Sequence, residues 1–307
     1  MSCRKRGMCG APNVKVRMVK RRHEIIIGLL LLVASAACIT AAPAADVVEV
    51  AAIAEFTPEW RPLFCGIDTV AARLLGNTPQ AVYALRVDLR EPGVQFLATP
   101  SNADKPLDTD GRTTSKFLEE FKCQAAVNAS PFSPVHDGEG MPKDVLGISV
   151  SRGDAYSEPN NVYGALVFTE DNHARIAKPP VDPAGAYNAV GGFNLLLDEG
   201  KNVASNGERH PRTAAGVSKD ARYVYLLVID GRQGNYSAGA TTSEIAQWLL
   251  RLGAWSAINL DGGGSTSMAV ADENGKAKLI NRPIHNNIPG IERVNANHLG
   301  IYANPLK

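Results

Sequence analysis

The stretch from residue 223 to residue 264 constrains the fold more than any other part of the chain. Residues 223–230 are continuously apolar up to a terminal acid, Asp230, as expected of a strand buried on both faces. A helix is predicted over residues 243–252. Thr241 and Glu244 have the spacing of a capping box, Ile245, Trp248, Leu249 and Leu252 recur at i, i+3, i+4 and i+7, and Gly253 supplies the stop. Small and apolar residues at 255–260 then make a second strand that ends on Asp261, with Gly262, Gly263 and Gly264 directly behind it. The pattern predicts a βαβ-like unit with Asp230 and Asp261 at two strand C-terminal ends, the edge where open α/β sheets bind ligands. Three glycines after a carboxylate make a tight turn that exposes N–H groups beside an acid and lets a ligand approach the main chain.

Other strand-like runs lie at 81–89, where Tyr83, Leu85, Val87 and Leu89 alternate with charged residues, and at 94–98, 124–129, 145–151, 164–169 and 193–198. A short helix is predicted over 114–122, with Phe117, Leu118 and Phe121 on one face. Residues 133–144 read as a long polar loop able to line a pocket. The two helices each lead into a similar strand, one ending near Asn128 and the other near Asn259, a weak internal echo that places the two amides alike. The fold class expected is α/β (α+β): a single domain over 63–307 with a mixed, largely buried sheet flanked by short helices.

The first 45 residues read as an address. Eight Lys/Arg and one Glu precede Cys38, an apolar run spans 25–33, and small residues continue to Ala45, the order of a secretory signal. The apolar run is shorter than the ~20 residues of a membrane span. Ser35-Ala36-Ala37-Cys38 also resembles a bacterial lipoprotein box, with Ser where Leu is usual, so a lipid anchor on Cys38 is the alternative mode of membrane contact. Residues 46–62 read as a flexible lead-in, and the expected location is periplasmic or secreted. Without residues 1–38 the 32 basic and 31 acidic residues fall to 24 and 30, a net charge of −6. That balance gives no basic stripe for nucleic acid. Cys65 and Cys123 remain, and an oxidising compartment favours their pairing.

Glycine N–H groups, arginines (Arg212, Arg232) and carboxylates form a coherent set for a ligand that is both sugar and phosphate, because a guanidinium is a planar bidentate donor to phosphate. Competing signatures fail. The glycines precede no lysine, so there is no P-loop, and the Ser265 to Ser267 segment lacks the last glycine of a nucleophile elbow. The histidines form no H-E-x-x-H; His136 and His210 sit in polar loops able to meet substrate, and His298 reads as packed.

Several ordered segments resemble the phosphodiester glycosidase family: Gly66-Ile-Asp68, Val127-Asn-Ala-Ser-Pro-Phe132, Gly191-Gly-Phe-Asn-Leu-Leu196, Arg212-Thr213-Ala214, Val228-Ile-Asp-Gly-Arg232, residues 258–268, Asn281-Arg-Pro283 and Ala296-Asn297. The resemblance covers about 66–303. It implies removal of a sugar, N-acetylglucosamine in the lysosomal member, from a glycosyl-1-phosphodiester by attack at the anomeric carbon. On that basis Asp261 is expected as nucleophile or base, Asp230 as its partner or orienting group, and Glu208 as a reserve acid. Arg212, Arg232 and the N–H groups of Gly262, Gly263 and Gly264 would hold the phosphate. Asn128 and Asn259 would bind sugar hydroxyls, with Thr213 and Ser265 beside them. No cofactor is required, although clustered carboxylates could equally hold Ca²⁺ or Mg²⁺. Two other readings compete: a non-catalytic carbohydrate or envelope-polymer binding protein on the same fold, and a serine hydrolase using Ser265 or Ser267.

Overall fold

The computed structural model describes residues 47–136 and 138–306; the signal, lipoprotein-box and cleavage readings fall outside them. Three sheets dominate. The largest has nine strands, in the order Val47–Val50, Ile67–Leu74, Gln80–Asp88, Tyr223–Ile229, Arg212–Val217, Ser256–Asn259, Asn194–Asp198 and Lys201–Asn202, with Arg61–Phe64 pairing Ile67–Leu74. A second sheet runs Asp154–Ser157, Ser149–Ser151, Asn188–Gly192, Gly164–Phe168, Ala174–Ala177. The third runs Ala277–Leu279, Met268–Ala271, Ala125–Asn128, His298–Tyr302, Gln95–Ala98.

The expectation of one mixed sheet is therefore corrected to a mostly β architecture, with two α-helices among the described residues: α1 (Thr114–Phe121) and α2 (Thr242–Leu252). Strands Tyr223–Ile229 and Ser256–Asn259 flank α2 and run the same way, but Arg212–Val217 lies between them, antiparallel to both. The βαβ unit is thus split by a strand whose Arg-Thr-Ala-Ala-Gly-Val sequence carries little period. Both faces of that strand are covered, so no alternation of polar and apolar residues marked it.

The large sheet is buried on both sides, which explains the continuous apolar run at 223–229. One face packs Ile67, Leu85, Val87, Leu226 and Val228 with residues of the other sheets such as Val127, Leu166 and Leu299. The opposite face packs Val82, Leu227 and Ile229 against Ile245, Trp248 and Leu249 of α2. The Thr241/Glu244 capping box is formed and Gly253 closes the helix in the left-handed region, as read from the sequence. Trp248 is fully buried, and its indole N–H donates to Gln80 Oε1 at 2.7 Å. Sheets meet closely at Gly192, where a Cβ would lie 2.7 Å from the Asn259 carbonyl oxygen. α1 covers the third sheet through Phe117 and Leu118, packed with Leu97, Ala126 and Ala269.

Two further readings are corrected. Residues 47–50, read as part of a flexible lead-in, form a strand parallel to Ile67–Leu74, and Phe56 sits edge-on to Trp248 with ring centroids 5.2 Å apart. The apolar side chains Val50, Ile53 and Phe56 bury against α2 and the sheet edge, and this fastens the segment. The Cys65–Cys123 disulfide does not form: both thiols are free. Cys65 Sγ faces the Pro305 carbonyl oxygen at 3.2 Å, whereas Cys123 is buried and its thiol is pushed up to about 12 by that burial. In denaturant without reductant, both thiols of the folded domain should titrate with a thiol reagent. In native protein Cys65 should react first, because Cys123 lacks both solvent access and thiolate character.

Candidate active site

Four chain segments converge at one edge of the large sheet. Strand Ser256–Asn259 ends there, Asn194–Asp198 and Arg212–Val217 begin there, and Tyr223–Ile229 ends there, since Asn194 and Ala214 both face Asn259 and Arg212 faces Ile229. Beyond those ends lies a cleft of about 220 Å³ lined by Asp261, Gly262, Gly263 and Gly264, by Arg212, Arg232 and Arg293, and by His210, Phe193, Asn259 and Leu260. Asp261 is the one acid among these lining residues.

The glycine triplet does something different from the expectation. The N–H of Gly262 donates to Asp261 Oδ1 at 3.0 Å and that of Gly263 to the Pro211 carbonyl at 2.8 Å. Two of the three N–H groups assigned to phosphate are therefore committed within the turn. What the glycines provide is room. Gly263 takes a φ of +62°, open to glycine at little cost, and a Cβ there would lie 3.2 Å from Arg232 Nη2. At Gly264 a Cβ would come within 2.4 Å of Arg293 Nη2. Two guanidiniums thus lie directly on a loop without side chains.

Electrostatics favour an anion. Arg212 is held by carbonyls, its Nε donating to Ala240 at 3.0 Å and its Nη2 to Glu208 at 2.7 Å. Neither Arg212 nor Arg232 has an ion pair among the described residues. Burial and the neighbouring Arg232 hold Arg212 below the usual guanidinium range, the sign of uncompensated positive charge. Burial, Arg212 and Arg232 also depress His210, leaving its imidazole neutral at pH 7. Because Nδ1 lies 3.2 Å from Arg232 Nη2, a donor, the remaining ring proton belongs on Nε2. Asp261 is pushed up to about 6 by burial, opposed by Ser265, Arg293 and the Gly262 N–H.

The other expected residues are placed as follows. Asn259 lines the cleft, and its Oδ1 is buried with no hydrogen-bond partner among the described residues. Such an atom in a pocket wall suits a ligand donor. Asn128 and Thr213 do not reach the cleft. Thr213 Oγ1 and the Ser267 N–H donate to Asn128 Oδ1 at 2.8 and 3.1 Å, and Asn128 Nδ2 donates to the Asp261 carbonyl at 2.6 Å. Asp230 is not a lining residue either. Its carboxylate accepts from Asn281 Nδ2 (2.8 Å), the Arg282 N–H (2.8 Å) and the Tyr236 hydroxyl (3.0 Å), and burial pushes it up to about 6. It anchors the turn that carries Arg232 and is not a partner of Asp261. Glu208 points outward, with an 88% exposed side chain 3.5 Å from His210.

Ser265 and Ser267 are fully buried, on Arg293 and Glu292, with no histidine as hydrogen-bond partner, so the serine-hydrolase reading is set aside. None of the described residues of loop 133–144 lines the cleft. Within it, the buried Lys143 ammonium donates to the His136 carbonyl at 2.9 Å. Among the described residues no group of three or more His, Cys, Asp or Glu side chains could hold a metal ion. Three lining residues were given no role by the sequence reading; one, Leu260, only links Asn259 to Asp261. Phe193 stood inside a quoted motif but was masked by its glycines. Arg293 lies in a loop without regular structure and reaches the site only through tertiary packing.

The fold and cleft define a class: a β-rich domain with a guanidinium-lined cleft and the raised carboxyl of Asp261 at a sheet edge. A phosphodiester glycosidase family model matches residues 121–302. The chain belongs to the phosphodiester glycosidase family. No curated protein matches it. Among solved structures it is similar to the zebrafish N-acetylglucosamine-1-phosphodiester alpha-N-acetylglucosaminidase catalytic domain auto-inhibited by its pro-peptide, at 17% identity and TM-score 0.59 over 80% of this chain and 88% of that one. A hypothetical protein from Synechocystis matches at 17% identity and TM-score 0.53, covering 78% of this chain; the chain spans 62% of that protein's length. An inferred exported protein from Burkholderia pseudomallei K96243 matches at 17% identity and TM-score 0.54, over 73% of this chain and 74% of that one. At such identity these are likenesses of fold.

Two outcomes follow. Gly264→Ala should displace the Arg293 guanidinium, the flexible partner of the clash, and weaken binding of inorganic phosphate, used as an anion probe, by about tenfold with little change in Tm, as calorimetric titration and thermal melts would measure. Asp261→Asn should match or exceed wild-type stability at neutral pH. The native carboxyl sits above its unfolded value of 3.8, so the native state holds the extra proton and stability falls as pH rises from about 4 to about 6. Melts of the two proteins should therefore diverge through that window and run parallel above it.

Proposed function

We propose that this protein is an exported hydrolase that cleaves a sugar, N-acetylglucosamine-like, from a glycosyl-1-phosphodiester. The observation that carries the reading is the cleft carboxyl of Asp261, the one acid among the described lining residues, set with Arg212, Arg232 and Arg293. A departing phosphate monoester is a good leaving group whose negative charge needs stabilising more than its oxygen needs protonating, and three guanidiniums supply that stabilisation. One carboxylate then suffices. Ionised Asp261 takes a proton from water as the water oxygen bonds to the anomeric carbon. The C1–O bond breaks and its electron pair leaves on the phosphate oxygen. Asn259 Oδ1 accepts a sugar hydroxyl, and neutral His210 donates from Nε2. The sugar assignment draws on the activity named for the zebrafish enzyme, and the export assignment on the leader composition and the inferred exported Burkholderia protein. No helix of the described residues is long and apolar enough to cross a membrane.

The test is turnover of an alkyl N-acetylglucosamine-1-phosphodiester and of UDP-N-acetylglucosamine by purified protein lacking its leader. Wild type should release free sugar. Asp261→Asn should lose about 10²-fold or more in kcat, the scale of a missing base, and Arg232→Ala should lose a comparable factor in kcat/KM. The rate should climb as pH passes upward through about 6, where Asp261 ionises. A single displacement gives the inverted anomer by NMR; a retained anomer would make Asp261 the nucleophile instead. Tight sugar-phosphate binding without release of sugar from any phosphodiester would instead favour the binding-protein reading.

A further inference from the structure

A second cleft, of about 330 Å³ against 220 Å³ for the first, opens at the other end of the third sheet. Strand His298–Tyr302 relates the two. His298 pairs with Asn128 at the Asp261 end, and Tyr302, four residues on, lines the second cleft. At the ordinary strand rise the ends are roughly 13 Å apart, with packed core between them. The new cleft is not an annex of the active site.

Its lining is that of a saccharide site. Phe96 and Phe168, both buried, stack at 4.0 Å between centroids and form its floor, and the half-buried rings of Tyr187 and Tyr302 are the aromatic surface it offers. Around these lie exposed planar polar groups, the oppositely charged Arg152 and Glu170 and the neutral amide of Gln95. Neither Arg152 nor Glu170 has an ion pair among the described residues. Rings with flanking amide and charged hydrogen-bonding groups match a sugar, which has apolar C–H faces and a rim of hydroxyls. The frame is rigid: buried Asn188 accepts from the Ala98 N–H at 3.0 Å and donates to the Phe96 carbonyl at 3.0 Å, joining two sheets under the cleft.

A second, independent observation concerns Arg152 itself. Arg152 and Gly153 are the two-residue turn between Ser149–Ser151 and Asp154–Ser157, with φ of +52° and +82°. Both central residues at positive φ define the hairpin turn whose first position prefers Asn, Asp or Gly. An arginine there is strained where asparagine would not be, and its guanidinium is carried to the cleft, near the Tyr302 hydroxyl.

We propose that this second cleft is a non-catalytic saccharide-binding site, with Arg152 as its principal polar contact and Tyr187 as an aromatic wall. A single carboxylate and no cluster of guanidiniums equip it for neutral sugar units and not for phosphodiester cleavage. Holding one part of a glycan there would raise the effective concentration of a polymeric substrate at the protein, a consequence that rests on the glycosidase reading; the binding itself does not.

The experiment is calorimetric titration of the protein lacking its leader with phosphate-free N-acetylglucosamine oligosaccharides of three to five units, using wild type, Arg152→Asn and Tyr187→Ala. Arg152→Asn should keep or raise Tm, because asparagine suits the turn. It should weaken oligosaccharide binding by about tenfold or more, the loss expected of a charged hydrogen-bond partner, and leave kcat/KM for the small alkyl phosphodiester unchanged. Tyr187→Ala should weaken the same binding. Absence of binding to wild type at millimolar oligosaccharide, or equal binding by wild type and Arg152→Asn, would overturn the proposal. Neither result depends on whether the first cleft turns over phosphodiesters.

Discussion

The buried side chain of Asn128 is the joint on which the site depends. One amide accepts from Thr213 in the large sheet and from the Ser267 N–H beyond the glycine turn, and donates to the carbonyl of Asp261. These three bonds lock the end of the third sheet, the start of the Arg212–Val217 strand and both sides of the Asp261 turn into one arrangement. The Asp261 N–H, bonded to the Ala129 carbonyl at 2.9 Å, adds a fourth tie between the same segments. In a low-dielectric interior a fully satisfied polar network rigidifies strongly, and a half-satisfied one is costly. The position of the cleft carboxyl, Asp261, is therefore set by a residue that never meets the cleft.

The same division between support and contact recurs at Asp230. Two acids at equivalent strand ends look interchangeable, yet each is spent differently. Asp230 is saturated by three donors and stiffens the turn leading to Arg232, whose φ of +59° needs holding. Asp261 keeps one side toward the cleft and faces the guanidiniums. The chain without its first 38 residues carries a net charge of −6, but the described residues of the cleft include three guanidiniums and one carboxyl. Local geometry, not overall charge, makes it favourable to an anion.

Helix α2 was legible to within a residue of each end because its signals are local: a capping box, an i/i+3/i+4/i+7 stripe and a terminal glycine act over one or two turns. The strands at 80–88 and 223–229 were legible from apolar pattern for the same reason. Strand Arg212–Val217 was not, since burial on both faces erases period, and its insertion between the two strands that flank α2 follows from pairing partners far apart in the chain. The splitting of the β-structure into separate sheets was equally hidden; Gly192 allows one sheet edge to touch another, but glycine in a sequence does not say what it touches. The disulfide expectation failed because cysteine count and compartment carry no information on where two thiols point.

What the sequence determined by itself is the local chemistry: the strand ending in Asp261, the side-chain-free turn behind it, the arginines nearby and the ordered motifs of the family. Their identities and spacings survive any packing. Tertiary structure decided which of those groups face the cleft. It turned Asn128, Thr213 and Asp230 inward as supports, committed two glycine N–H groups to the turn, and brought Phe193 and Arg293 in from segments with no local signal. Those choices depend on which strands pair and which donors are left over once buried polar groups are satisfied, a condition on the whole molecule that no stretch of residues records alone.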